Sequence, residues 1–146
     1  MPYKDATLTY KETKVQTAGQ GQLIVMLYDE AIKQLAKAIE ILEKNQVEKD
    51  PGKIELIGKA VMKTEEIITE LMVSLDFDQG GEISKNLFSL YTWFNRELLE
   101  SNIAQDSGRM KEVKKMLSEL RNTWSSISKM TVETASRGSV GLNIAG

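Results

Sequence analysis

The chain has 146 residues, 19 basic against 21 acidic side chains, and neither cysteine nor histidine. That length suits one domain with a sizeable core, and the charge balance leaves no surplus of cations for phosphates or anionic lipid. Without cysteine there are no disulfides or thiolates, and without histidine the commonest general base and half of the bundle-type carboxylate metal site are missing. The composition argues against a nucleic-acid partner and against most enzyme chemistry, and no cofactor or metal is expected.

The N-terminal stretch MPYKDATLTYKE is polar, without the apolar core of a signal segment, and no later run reaches the 18 or so apolar residues of a membrane span. The expected location is the cytoplasm, without membrane insertion. Residues 1–16 read as an arm in which Leu8, Tyr10 and Val15 are loosely spaced apolar residues. Thr17 with Gln20 can form a capping box, after which Tyr28, Ile32, Leu35, Ile39 and Leu42 step by four and three as one face of a helix. A second helix opens at Asp50-Pro51, a side-chain cap followed by a ring already at helical φ, with a seam of Ile54, Ile57, Val61, Ile68, Leu71 and Leu75. Gly80-Gly81 is expected to break the chain before a third helix with Ile83, Leu87, Tyr91, Phe94 and Leu98. After Gln105-Asp106-Ser107-Gly108, a fourth carries Met110, Val113, Leu117, Leu120, Trp124 and Ile127.

Short connections make consecutive helices antiparallel neighbours, so the expected fold is all-α, an up-down-up-down four-helix bundle over residues 17–131 with the N-terminal arm alongside. A coiled-coil oligomer is the alternative, but Trp93, Phe94, Trp124 and wide apolar stripes suit a globular bundle better. From residue 132 the sequence loses periodicity and gains glycine and serine, so 132–146 read as a flexible tail.

Few residues suggest a reaction. Glu66 and Glu70 stand one turn apart, which on a helix is usually a solvated surface. Gly19 and Gly21 lack the third glycine and preceding strand of a dinucleotide loop. Lys111, Lys114 and Lys115 are interleaved with Glu112 and Glu119 and read as a solvated face.

The stretch TAGQGQLIVMLY, residues 17 to 28, carries the functional signal. At about 100° per residue, with Tyr28 at zero, Ile24 falls at about 320°, inside the seam, whereas Met26 and Leu23 fall at about 160° and 220° and Leu27 at about 260°. Leu23, Met26 and Leu27 are therefore expected to form an apolar patch off the bundle seam, of the kind that marks an interaction surface. Two covers are available, the arm with Tyr10 and Val15, or an external partner. Phe88 and Leu99 on the third helix, and Leu56 and Ile67 on the second, are also off-seam. Wide bundle stripes account for some of these as plain core, Ile67 first and Phe88 next.

The run YKETKVQTAGQGQLIVMLYD resembles the opening segment of the flagellar secretion chaperones called FliS, in which a tyrosine, V-x-T-A and L-x-x-M-L-Y-D recur in order. Residues ITELMVSLDFDQGGEISKNLFSLYTWFNRELLESNI resemble that family's L-x-x-x-L-D, its glycine-glycine-glutamate turn, its N-L-x-x-L-Y and its closing run before an asparagine. LRNTW fits too, so the likeness covers roughly residues 5 to 130. In two places this chain departs: a proline common after the threonine-alanine pair is replaced within Gly19-Gln20-Gly21, and Ser101 stands where alanine is usual. The resemblance implies a cytoplasmic, ATP-free chaperone. It would bind the disordered C-terminal segment of flagellin, prevent premature polymerisation and deliver it to the export apparatus, its arm lying over an apolar groove until the client displaces it. Tyr10, Val15, Leu23, Met26, Leu27, Phe88 and Leu99 are the candidate partner-binding residues. An adaptor or regulator binding another flagellar protein would use the same surface, and weak self-association through it stays open.

Overall fold

A computed structural model of the chain describes the backbone of residues 20–145 and the side chains of residues 21–129. Its described residues form four helices and no strand, an all-α four-helix bundle: α1 (Gln20–Glu48), α2 (Pro51–Val73), α3 (Phe77–Ala104) and α4 (Ser107–Ala145). The arm residues Tyr10 and Val15, and Thr17 of the capping box, lie outside the described residues. Helix α4 continues past residue 131, where the loss of periodicity set the end of the bundle.

Two compact units make up the chain, the larger spanning Leu27–Glu119 and the smaller combining the start of the chain through Met26 with its end from Leu120. In the larger unit all four helices contribute buried side chains: Tyr28, Leu35 and Leu42 from α1, Ile57, Val61, Ile68 and Leu71 from α2, Tyr91, Phe94 and Leu98 from α3, and Met110, Val113 and Leu117 from α4. Each was a seam position, and each contributes roughly 1.5–3 kcal/mol by leaving water. Other seam positions are not buried: Ile54, Ile83 and Ile127 are exposed, and Ile32, Leu75, Leu87, Leu120 and Trp124 are half-buried. In the smaller unit, a β-carbon added at Gly21 would come within 2.9 Å of Ser128 Oγ, so the first turn of α1 passes tightly against α4 there.

Local chemistry sets the helix ends. Asp50 caps α2, its Oδ1 accepting from the Gly52 N–H at 2.9 Å, with Pro51 at the first helical position. Its backbone N–H donates in turn to Asn45 Oδ1 at 2.8 Å, which satisfies a buried amide on α1. Asp76, not the glycine pair, opens α3 by accepting from the N–H groups of Asp78 and Gln79. Gly81, at φ 52° and ψ −125°, is non-helical and interrupts α3 after its first turn, where the glycine pair was expected to break the chain. Gln105 takes a left-handed conformation to close α3, and Asp106 Oδ1 accepts from the Arg109 N–H to start α4. Arg109 also donates to Glu97 at 2.8 Å and Glu100 at 2.6 Å, and Lys111 meets Glu43 at 2.6 Å. These pairs join α4 to α3 and to α1.

Candidate functional site

Helix α2 turns Ile57, Val61 and Ile68 inward, so residues about 140° to 160° away from Ile57 around the helix, Met62 and Val73, face out, at 60% and 64% exposure. On α3, Tyr91, Phe94 and Leu98 point inward, and Phe88, Leu99 and Ile103 lie at about 60°, 80° and 120° from Tyr91, all exposed. Two contacts fix how these stripes meet. Asn95 Nδ2 donates to Thr69 Oγ1 at 3.3 Å, and a β-carbon added at Gly58 would meet Asn102 Nδ2 at 3.8 Å. In that antiparallel register Met62 stands across the seam from Leu99, with Ile103 one turn on, and Val73 stands across from Phe88. Phe77 extends the second cluster, its ring edge-on to Phe88 at 5.9 Å between centroids.

The face is thus two apolar clusters, Met62–Leu99–Ile103 and Val73–Phe88–Phe77, separated by a polar waist of Glu65, Thr69, Thr92 and Asn95. Thr92 and Thr69 turn their hydroxyls back onto their own helices, at 2.8 and 2.9 Å from the carbonyls of Phe88 and Glu65. That removes their protons from competition for a ligand. Burial without a compensating cation raises the carboxyl pKa of Glu65. Such an arrangement presents apolar contact on either side of a few polar groups. It can take up the apolar side of a peptide in the helix-in-groove manner, with anchors about three turns apart.

Of the candidate residues, Phe88 and Leu99 fall on this one face, and the weighing of Phe88 as core is corrected by its 43% exposure. Ile67 is core, as expected, and Leu56 is exposed on the other side of α2. Met26 is exposed and Leu27 half-buried, but Leu23, expected off the seam, is only 2% exposed. The reason is the choice of reference: the buried positions of α1 run from Leu23 through Asn45 to Ile39, an arc centred about 50° from Tyr28. Leu23 sits on the edge of that arc and Met26 opposite it. Glu70, expected solvated, is buried. Val73, Ile103 and the Asn95–Thr69 waist are not among the candidates read from the sequence, although a wheel drawn on α2 places Val73 as plainly off-seam as Met26.

Elsewhere in the larger unit an open apolar cavity of about 350 Å³ lies where the α1–α2 turn meets Gln105, lined by Leu42, Lys49, Pro51 and Ile54. Lys49 and Gln105, both non-glycine residues with positive φ, border it. Among the described residues no three acidic side chains are grouped to hold a metal, and no helix is long and apolar enough to cross a membrane.

The sequence profile of the family described as Flagellar protein FliS matches residues 3–131. The chain is 36% identical over 118 residues to the flagellar secretion chaperone FliS of Salmonella typhimurium, covering 80% of this chain and 82% of that protein. It is 35% identical over 117 residues to the flagellar secretion chaperone FliSB of Pseudomonas aeruginosa, covering 80% and 87% of the two chains. The FliS of Bacillus subtilis is 27% identical over 124 residues, 85% and 86% of the two lengths. A profile match over most of the chain, relatives above 30% identity and the four-helix fold agree: the chain belongs to the FliS family of flagellar proteins.

Proposed function

We propose that this protein is a cytoplasmic flagellar secretion chaperone whose client is the C-terminal segment of flagellin, and that the α2–α3 face is where the segment docks. The single observation that carries the reading is the pair of apolar clusters left bare beside the α2–α3 seam. A monomeric protein gains by covering side chains such as Met62, Leu99 and Phe88, and a segment that is unfolded before assembly can supply the cover. Ordering that segment costs roughly 2–5 kcal/mol or more of the gross interaction energy, which keeps the complex releasable for export. Met62 suits the task because an unbranched thioether repacks around different contacts. Met26 and Leu27 are a second, separate contact in this reading, and the arm with Tyr10 and Val15 competes for it; Leu23, already out of water, contributes support beneath. No catalytic step and no cofactor enter this function.

Titration calorimetry with a flagellin C-terminal segment tests it. Wild-type protein is expected to bind, and Met62→Asp with Leu99→Asp to weaken binding by tenfold or more while leaving the melting temperature within about a degree or two, because both positions are exposed. A folded wild-type protein that ignores the segment overturns the reading, and a double variant that binds as wild type does moves the site elsewhere.

A further inference from the structure

The polar waist of the α2–α3 face contains an acceptor that nothing answers. The Thr69 hydroxyl spends its one proton on the Glu65 carbonyl, at 2.9 Å, so its oxygen is left to accept, and the Asn95 Nδ2 donates to it at 3.3 Å. This fixes the orientation of the amide. Turned over, the Asn95 oxygen would face the Thr69 lone pairs with no proton between them. Oδ1 therefore points away from Thr69, where it is sealed from solvent and has no hydrogen-bond donor among the described residues. A buried acceptor without a donor is rare and costly in a folded protein, so its position matters. Asn95 itself stands between the two apolar clusters along α3, one turn from Leu99 and two from Phe88.

We propose that Asn95 is the polar anchor of this face, its Oδ1 accepting a hydrogen bond from a neutral side-chain donor (Asn, Gln, Ser or Thr) of the bound segment. The proposal rests on the reading of the face as the flagellin-binding surface and adds what that segment must carry. The donor is a side chain because a segment laid down as a helix uses its own backbone N–H groups internally. It is neutral because a lysine or arginine would have to shed a far larger hydration cost between two apolar clusters. The anchor also selects. Most hydrogen bonds formed on binding replace bonds to water on both sides, but Oδ1 is already dehydrated, so only the donor pays desolvation and the bond contributes more than an ordinary exchange. Access requires the side chains that seal Oδ1 to give way when the segment binds.

Asn95→Leu separates this role from a structural one. Deleting an unanswered acceptor is expected to raise the melting temperature of the free protein while weakening its affinity for a flagellin C-terminal segment about tenfold. A purely structural residue would move both in the same direction. Alanine substitution of the segment's Asn, Gln, Ser and Thr residues in turn is expected to reveal one position whose loss matters to the wild-type protein and not to Asn95→Leu. Asn95→Ala, which adds no bulk, repeats the affinity loss should the leucine variant fold poorly. Unchanged affinity in both variants, with the wild-type protein binding, overturns the anchor alone. Failure of the folded wild-type protein to bind overturns the flagellin reading and the anchor with it.

Discussion

Tyr28 and Tyr91 come from the two tyrosine motifs that carry the family likeness, yet neither faces outward. Their hydroxyls hydrogen-bond to each other inside the bundle, with ring centroids 6.4 Å apart. Burial pushes the Tyr91 phenol pKa up, opposed by the bond to Tyr28. The pair holds α1 to α3 with a polar contact inside the core. Ser101, the departure from the usual alanine, is likewise buried, and its hydroxyl is satisfied by the Leu98 carbonyl at 3.2 Å. Glu65 gives a pH test at this scale. Its folded pKa lies above the ordinary 4.5, so the folded state binds the proton more tightly than the unfolded chain, and stability falls as pH rises through the window above 4.5. Glu65→Gln is therefore expected to raise the unfolding midpoint at pH 7 and to give no gain well below pH 4.5; equal gains at both would show that charge is not the cause. Glu97 runs the other way. The Arg109 hydrogen bond holds its carboxyl low, and the stability it lends is present above the ordinary carboxylate value and lost as pH falls through the lowered one.

Among the elements, the start of α3 shows why a glycine pair sits where it does. Ser84 Oγ reaches back over Gly80 to the Asp76 carbonyl at 2.9 Å, and a β-carbon on Gly80 would come within 1.8 Å of that hydroxyl. Gly81 serves a different need, a φ of 52° with ψ of −125°, open to glycine alone. Nothing lies within 4 Å of where its β-carbon would be, so Gly81→Ala meets only backbone strain. It is expected to cost about 1–3 kcal/mol in urea unfolding with an unchanged denaturant slope. A smaller loss would mean that α3 straightens without penalty. The kink bears on function because it places Phe77 edge-on against Phe88, at one end of the α2–α3 face.

At the scale of the molecule, every helix supplies side chains with almost no exposure to the core within Leu27–Glu119. Deleting residues 1–14 is therefore expected to leave the thermal melt of the bundle in place and to preserve or tighten binding of a flagellin C-terminal segment, as removal of an internal competitor should. A deletion variant that loses binding would make the arm part of the site.

How much of this was legible beforehand follows from which forces are local. Cap chemistry and period 3.6 spacing are local, so Asp50-Pro51 and the seam through Tyr28, Leu35, Ile57, Tyr91 and Val113 could be read from residue order, and with them four antiparallel helices. Family membership could be read too, since it rests on the order of short motifs. What the sequence alone determined was thus the all-α bundle and its core stripes, because helix period and burial of apolar area depend on neighbours a turn away. Only tertiary structure decided which off-seam residues stay bare. Leu23 and Met26 look alike on α1 while the wheel is referenced to Tyr28, and only the burial of Leu23 shows where the centre of the packed arc lies. The Asn95–Thr69 waist is likewise a meeting of two helices, formed by residues 26 positions apart that nothing in the chain's periodicity brings together.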